Sequence, residues 1–396
     1  MNGPLDGVRV IDITINVLGP VATQILGDMG ADVIKVEAPG GDPMREIGPM
    51  NHPLMGFMFM SINRNKRSVT LDLKTAHGLD ALMRLIETAD VFVHSVRPGT
   101  AKRLGVSYEA ISARNPRIVY AFAPGYRPDS SWSDRPAFDD VIQGESGIVS
   151  MIERANGEPR YVPTAIADKF CGHTLASSIG MALFARERSG KGQQVRVPML
   201  DTMAAFNLAE HLWTDFLDPD VEQPGYARMF SPQRRPFATK DGHVCLLSVT
   251  DEQWRRTFDA LERPELIDDA RFSSLQRRAE NITELYSILA EEFRKRPSAA
   301  WYERLSAAGV PHGPVNSLAA LARYPYLQET EFFQPYEHPV AGPSVMTAIP
   351  VEFTETPGTV RRPPPTLGEH TVEILDGLGL DAETIAEASG NKTESD

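Results

Sequence analysis

An aspartate at the start of a long helical stretch is the residue of this chain best placed to do chemistry. Asp168 precedes a run of apolar and small residues that continues to Arg188 and ends at Gly190 and Gly192. A carboxylate at a helix start accepts hydrogen bonds from free backbone N–H groups and is stabilised by the helix dipole. We therefore predict that Asp168 is the N-cap of this helix and stays ionised, as a carboxylate nucleophile must be. A purely structural helix cap would give the same pattern.

Two runs of basic residues are candidates for holding phosphate groups. The chain has a formal net charge of −13, which disfavours binding to nucleic acid or to anionic membrane surfaces. Basic clusters in such an acidic chain favour a phosphate-bearing small molecule, although a solvated charged face would look the same. The first run contains Arg64, Lys66, Arg67 and Lys74, and the second contains Arg97, Lys102 and Arg103.

Other reactive residue types give weaker signals. Asp139, Asp140 and Glu145 could do acid–base work, but helix-start and loop roles account for them as well. No group of histidines, cysteines and acids has the spacing of a metal site, so we expect no metal. No G-x-S-x-G elbow occurs, which disfavours a serine hydrolase of that type. The two cysteines, Cys171 and Cys245, favour a reducing cytoplasm without disulfides. No secretory signal or membrane-spanning stretch is visible.

The elements that must position these residues alternate between strand and helix in the first half of the chain. This rhythm predicts an α/β fold with a parallel sheet, whose ligands gather at the carboxyl ends of the strands. Those ends are the loops after Thr14, Glu37, Val96 and Ala123. The loop after the first strand lacks the dinucleotide fingerprint, and no phosphate-binding P-loop occurs. The predicted strands are 8–14, 32–37, 91–96 and 117–122, and the predicted helices are 19–29, 78–88 and 108–113.

The second half of the chain predicts a smaller α+β domain. A composition change at 218–235 indicates a linker between a large domain, 1–217, and a small domain, 236–320. The small domain begins with a hairpin whose turn is Asp241–Gly242. The segment 321–396 contains a β-rich stretch at 348–353 and a last helix at 370–377, and its final residues, 390–396, are expected to fray. Helices are predicted at 251–261, 282–295 and 299–308.

Several short strings, in their order and spacing, resemble CoA-transferase family III, which includes formyl-CoA transferase and carnitine CoA-transferase. The resemblance extends over almost the whole chain. The matching strings are PLDGVRVID at 4–12, GDMGADVIKVE at 27–37, NKRS at 65–68, LDLK at 71–74, RPG at 97–99, AD at 167–168, RSGKGQ at 188–193 and LGEH at 367–370.

The resemblance implies a Rossmann-like large domain built from both ends of the chain and a small domain, in an interlocked homodimer. It implies that Asp168 attacks an acyl-CoA thioester, and that CoA then passes to a carboxylic acid through anhydride and enzyme–CoA thioester intermediates. CoA would be the substrate, with no further cofactor. By the same resemblance, the CoA-binding residues are Val17, Leu71, Asp72, Leu73, Lys74, Ser95, Arg103 and Met199.

Some positions depart from the patterns of related enzymes. The histidine expected of an α-methylacyl-CoA racemase falls on Phe138, which disfavours that alternative. Val17 stands where formyl-CoA transferase has a glutamine, and 229–236 has no glycine run, so an oxalate-specific enzyme is doubtful. Ala38 replaces an arginine that helps to hold CoA. A catalytically silent CoA-binding protein, with Asp168 only as a helix cap, is the remaining alternative.

Overall fold

A computed structural model of the chain describes residues 3–212, 216–218, 220–221 and 224–390. The chain divides into a large unit, Met1–Ile148, Tyr161–Asn207 and Glu331–Asp396, and a small unit, Val149–Arg160 and Leu208–Thr330. These bounds differ from the predicted domains, because 149–160, 208–217 and 321–330 belong to the small unit. Residues 219, 222 and 223 of the predicted linker, and 391–396 of the predicted frayed tail, lie outside the described residues.

Six parallel strands form the sheet of the large unit, in the order β3-β2-β1-β4-β5-β6. The order reverses between β1 and β4, which makes the crevice at their carboxyl ends the expected ligand site of such a sheet. The predicted parallel α/β sheet is therefore confirmed. The strands are β1 (Arg9–Asp12), β2 (Asp32–Glu37), β3 (Lys66–Thr70), β4 (Val91–His94), β5 (Val119–Phe122) and β6 (Gln193–Arg196).

Helices cover both faces of this sheet, as buried parallel strands require. Neighbouring strand residues face opposite ways, so Ile11 packs into one apolar core and Val10 into the other. The helices of the first half are α1 (Leu18–Asp28), α2 (Phe57–Ile62), α3 (Ala76–Glu87), α4 (Pro98–Arg103), α5 (Tyr108–Arg114), α6 (Asp139–Glu145), α7 (Ile148–Asn156), α8 (Ile166–Ser189) and α9 (Met199–Leu208).

The small unit has its own core beneath a three-stranded antiparallel sheet. The predicted hairpin is present, with β7 and β8 joined through Asp241–Gly242. Phe258, Phe293 and Trp301 are buried at the centre of the core. Its elements are β7 (Phe237–Ala238), β8 (His243–Leu246), α10 (Asp251–Ala260), α11 (Leu275–Glu280), α12 (Ile282–Phe293), α13 (Ser298–Ala307), β9 (His312–Pro314), α14 (Leu318–Leu321) and α15 (Pro325–Glu329).

The C-terminal segment returns to the large unit with a hairpin and two short helices. They are β10 (Phe333–His338), β11 (Gly342–Thr347), α16 (Thr371–Asp376) and α17 (Ala382–Ala388). The prediction of a strand at 348–353 is wrong. The pairing of β11 with β10 ends at Thr347, one residue before the predicted strand begins. Ile374 and Ile385 of the two helices complete the core on the α3 side of the sheet. Across the described residues, no helix is both long and apolar enough to cross a membrane.

Candidate active site

Asp168 lies in the first turn of α8 rather than at its N-cap. The N-cap is Ala165, which has no side-chain capping bond, and Asp168 is the third residue of the helix. The predicted capping role is therefore wrong, because the chain turns into the helix three residues earlier than the acid suggested. The other end of α8 is as predicted, since Gly190 adopts the left-handed conformation that ends a helix.

The start of α8 faces the carboxyl edge of the sheet. The helix leads directly into β6, and a crossover helix runs antiparallel to the parallel strands that it joins. A β-carbon at Gly172 would come within 2.7 Å of the Leu18 carbonyl oxygen, so α8 and α1 are in close backbone contact there. Asp168 is one turn before Gly172, and Val17 immediately precedes Leu18. This packing brings the candidate nucleophile to the loop after β1.

A second carboxylate contacts the backbone of the candidate nucleophile. Asp139 Oδ1 accepts a hydrogen bond of 2.9 Å from the Asp168 backbone N–H. Its other oxygen accepts a 2.6 Å bond from Gln143 Nε2, and Gln143 Oε1 accepts a bond from the Val162 N–H. Asp139 and Gln143 thus connect α6 to the segment that leads into α8. The sequence pointed to Asp139 as an acid but could not show its partner, which is 29 residues away.

This environment makes Asp168 a weaker acid than an ordinary aspartate. Burial and the nearby charge of Asp139 raise the pKa of Asp168 from 3.8 to about 7. The expectation that the helix start keeps Asp168 fully ionised is therefore wrong near neutral pH. A raised pKa has a chemical consequence of its own, because a more basic carboxylate is a stronger nucleophile once it is deprotonated.

The pH dependence of catalysis is expected to report this carboxyl group. Only the carboxylate can attack, so kcat/KM should fall as the pH drops through about 7, the pKa of Asp168. Replacing Asp139 with asparagine removes the neighbouring charge and keeps an oxygen for the Asp168 N–H. We expect the acidic limb of the pH profile in Asp139→Asn to move to lower pH.

The control for this prediction is Asp140→Asn, which changes an exposed carboxylate on the same helix. Its pH profile should match the wild-type profile when kcat/KM is measured from pH 5 to 9. An acidic limb that stays in place in Asp139→Asn would show that Asp139 does not set the protonation of the reacting group.

Cys171, in the second turn of α8, contacts Met199 at the start of α9. The Cys171 thiol is fully buried and points to the Met199 carbonyl oxygen, 3.9 Å away. Burial, followed by the charges of Asp168 and Asp139, raises the pKa of Cys171 to about 12. Cys171 is therefore a buried residue of the core that α8 forms with the sheet. Met199 follows β6, so the contact also places a predicted CoA residue near the start of α8.

The other predicted CoA residues follow the carboxyl ends of strands. Val17 comes after β1, 71–74 comes after β3, and Ser95 and Arg103 come after β4. Their side chains differ in exposure. Lys74 and Arg103 are exposed, Asp72, Leu73 and Ser95 are partly exposed, and Val17, Leu71 and Met199 are buried.

The first basic run does not form a phosphate site. Lys66 is fully buried in β3 with its Nζ 3.3 Å from Asp12, and burial is the first cause of a pKa lowered to about 8. Arg64 pairs with Asp28 at 2.8 Å, and Arg67 pairs with Asp32 at 2.6 Å. The prediction that these three cations hold phosphate is therefore wrong. They neutralise aspartates of the large unit instead, and only Lys74 of this run is exposed.

A buried layer of ion pairs supports the loops at the carboxyl edge. Arg45 forms two bonds of 2.7 Å to the Glu37 carboxylate at the end of β2. Lys35 Nζ lies 2.9 Å from Asp42 and donates a 2.8 Å bond to the Thr14 carbonyl in the loop after β1. All four charged side chains are almost completely buried. This layer was not predictable from the sequence, because its members look like ordinary surface charges along the chain.

Nothing in the described part of the chain suggests a metal centre. No group of three or more histidine, cysteine and acidic side chains comes together in residues 3–212, 216–218, 220–221 and 224–390. The groups shown to interact with Asp168 include the Asp139 carboxylate and the protonated Cys171 thiol, which suits acyl transfer by a carboxylate nucleophile.

Comparisons with known proteins identify the family of the chain. The model of CoA-transferase family III matches residues 5–371. The probable fatty acyl-CoA transferase Rv3272 of Mycobacterium tuberculosis is 32% identical over 389 residues, covering 94% of this chain and 97% of that protein. Succinyl-CoA:glutarate CoA-transferase of Homo sapiens is 31% identical over 388 residues, covering 97% and 88%. A crystal structure of Rv3272 has a TM-score of 0.80 at 31% identity, covering 93% of this chain and 98% of that chain.

Proposed function

Because the chain belongs to CoA-transferase family III and is a transferase enzyme, we propose that it moves CoA between two carboxylic acids with Asp168 as the nucleophile. One observation carries this proposal. Asp168 combines a raised pKa with a position in the first helical turn at the carboxyl edge of the sheet, where α8 packs against the first turn of α1, directly after the loop that follows β1. Asp168 is not the cap of α8, and an aspartate without a chemical role would gain nothing from burial beside a second carboxylate.

The proposed reaction begins with attack by an Asp168 oxygen on the thioester carbon of the donor acyl-CoA. The C–S bond breaks, which gives a mixed anhydride and the CoA thiolate. The thiolate then attacks the aspartyl carbonyl carbon, which releases the donor acid and leaves CoA bound to Asp168 as a thioester. No net proton enters or leaves, because each step exchanges one anion for another.

The acceptor acid completes the cycle by the same two steps in reverse order. Its carboxylate attacks the aspartyl thioester, releases the thiolate and forms a second anhydride. The thiolate attacks the acyl carbon of the acceptor and frees Asp168. These steps are fast within one bound complex, because holding the carboxylate and the thioester in place can lower the activation barrier by about 7–11 kcal/mol. The bond from the Asp168 N–H to Asp139 supports such fixed positioning.

CoA is proposed to bind along the carboxyl edge of the sheet. The exposed side chains of Lys74 and Arg103 are suited to its phosphates, and the backbone around Val17 and Met199 would border the thioester end. No cofactor besides the CoA substrate is proposed. Phe138 has no group that could exchange a proton, so CoA transfer is favoured over racemisation.

The interlocked homodimer is also part of the proposal. The helix α8 buries one face in the core of the large unit, but Met181 and Phe184 are 70% and 66% exposed. Phe138, near the candidate site, is 66% exposed as well. Large exposed apolar side chains of this kind mark protein–protein contacts. The cytoplasmic location predicted from the free cysteines stays a prediction.

A transfer assay tests the proposed function. Purified protein would be incubated with succinyl-CoA, acetyl-CoA or a fatty acyl-CoA together with a panel of carboxylic acids, and each new acyl-CoA would be measured by chromatography. We expect at least one pair to give stoichiometric exchange, with one donor acid released for each new thioester. Hydrolysis alone, with no acceptor thioester from any pair, would contradict the proposal.

A further inference from the structure

Four arginines surround two adjoining cavities in the small unit. Arg228, Arg234 and Arg235 line a cavity of about 260 Å³, and Arg235 and Arg294 line a neighbouring cavity of about 160 Å³. The two cavities share Gln233, Arg235, Pro236 and Phe237. We call the two cavities together the arginine pocket. No acidic residue lines either of them.

The positive charge of this pocket is unusual in so acidic a chain. Several arginines elsewhere in the small unit are neutralised by carboxylates, as Arg263 is by Glu292 and Arg304 by Glu262. None of the four pocket arginines has an acidic partner within 4.0 Å among the residues that the structure describes. Uncompensated guanidinium groups that share a cavity repel each other, so the arrangement is stabilised when an anion binds.

Hydrogen bonds position two of the four arginines, Arg228 and Arg235. Arg228 Nε and Nη2 each donate a 3.2 Å bond to the Tyr286 hydroxyl, which fixes the plane of a half-buried guanidinium. Arg235 Nη2 donates to Gln233 Oε1 at 3.4 Å. Phe237 and Leu246 add apolar wall between the charged groups. A planar guanidinium matches the two oxygens of a carboxylate, and an apolar wall suits a short methylene chain.

From this combination we propose that the arginine pocket binds a small dicarboxylic acid. Two carboxylates joined by a few methylene groups would satisfy the arginines of both cavities and cover the apolar wall between them. The ligand class rests on the proposed function, because that function makes carboxylic acids the partners of this protein. The pocket itself is a property of the small unit and does not depend on transfer at Asp168.

Direct binding without CoA tests this proposal. Titration calorimetry would compare glutarate with pentanoate, which has the same chain length but one carboxylate, on the full-length protein. We expect glutarate to bind at least about tenfold more tightly, because charge-assisted bonds to a second carboxylate are lost with pentanoate. The Arg234→Gln/Arg235→Gln variant should lose at least about tenfold in glutarate affinity. Both arginines are exposed, so this variant should keep the wild-type Tm.

The matched control is Arg277→Gln, which removes an exposed arginine of the same unit that pairs with Glu280 at 3.2 Å. Its affinity for glutarate should be unchanged. Equal affinities for glutarate and pentanoate, or an unchanged affinity in the double variant, would overturn the proposal. Displacement of glutarate by an equal concentration of inorganic phosphate would also overturn it, because that result identifies a site for any dianion.

Cysteine alkylation locates the ligand. The chain has two cysteines, of which Cys245 is exposed at the arginine pocket and Cys171 is buried. Neutral iodoacetamide should therefore modify Cys245 alone, and glutarate should slow this reaction several-fold in the wild type but not in the double variant. An alkylation rate that glutarate leaves unchanged would place the ligand elsewhere. Neither measurement requires transferase activity, so failure of the pocket and failure of the proposed function are distinguishable.

Discussion

Replacing Asp168 with asparagine is expected to lower kcat/KM for CoA transfer by at least about 10⁴-fold, because an amide cannot form the proposed anhydride. The two side chains have nearly the same shape, so substrate binding should change much less than the chemical step. The loss should appear in kcat at saturating acyl-CoA. Asp140→Asn, which changes an exposed acid of the neighbouring helix α6, should keep wild-type kcat/KM. If Asp168→Asn lowered kcat/KM only slightly, the Asp168 carboxylate would not be the nucleophile.

The same variant should be more stable than the wild type at alkaline pH. A carboxyl group whose pKa is raised from 3.8 to about 7 in the folded protein opposes folding when it ionises. The loss of folding free energy that this ionisation causes is absent below pH 3.8, grows as the pH rises, and reaches its full size above about pH 7. Asp168→Asn should therefore have a higher Tm than the wild type at pH 8 and an equal Tm near pH 3.8. If Asp168→Asn had a lower Tm than the wild type at pH 8, its loss of activity would be explained by destabilisation of the fold.

The second large effect is expected at Arg45. Replacing Arg45 with methionine should lower the free energy of unfolding by about 3–5 kcal/mol, because it leaves the buried Glu37 carboxylate without its partner. Arg45 is fully buried and forms two bonds of 2.7 Å to Glu37, and its guanidinium also donates to the Leu54 and Pro365 carbonyl oxygens. The measurement is urea unfolding at pH 7, followed by circular dichroism.

Two further variants distinguish the cost of leaving a buried charge unpaired from the cost of losing an arginine side chain. Glu37→Gln/Arg45→Met removes both charges and should recover part of the stability lost in Arg45→Met. Arg84→Met breaks the exposed pair with Asp80, 2.9 Å apart, and should cost less than about 1 kcal/mol. Equal losses in Arg45→Met and Arg84→Met would show that the buried layer does not support the fold.

The elements that bury apolar residues were predictable from the chain. Alternating strands and helices indicated the parallel sheet, and Gly190 correctly marked the end of α8. The strand β3 was missed because Lys66 and Arg67 made it look like a surface run, although Asp12 neutralises the buried Lys66. The hairpin β10–β11 was missed because it contains prolines, which are uncommon in central strands and are tolerated at edges.

The candidate site was only partly predictable, because its electrostatics depend on contacts between distant residues. The sequence identified Asp168 but assigned it to the wrong helical position. The sequence also gave Asp139 as a possible acid. Its hydrogen bond to the Asp168 backbone was not predictable, because it depends on how α6 packs against α8. The raised pKa of Asp168 follows from that packing and from burial. Reasoning from the helix dipole alone therefore predicted a lowered pKa for Asp168, whereas its pKa is raised.

Trapping the covalent intermediate tests the central claim most directly. The enzyme would be incubated with acyl-CoA but no acceptor, treated with hydroxylamine and digested with trypsin. The tryptic peptide 161–169 contains Asp168 as its only acidic side chain, so a hydroxamate on this peptide identifies the residue without ambiguity. We predict a hydroxamate on this peptide in the wild type and none in Asp168→Asn. Active transfer with an unmodified peptide, or modification of another carboxylate, would contradict Asp168 as the nucleophile.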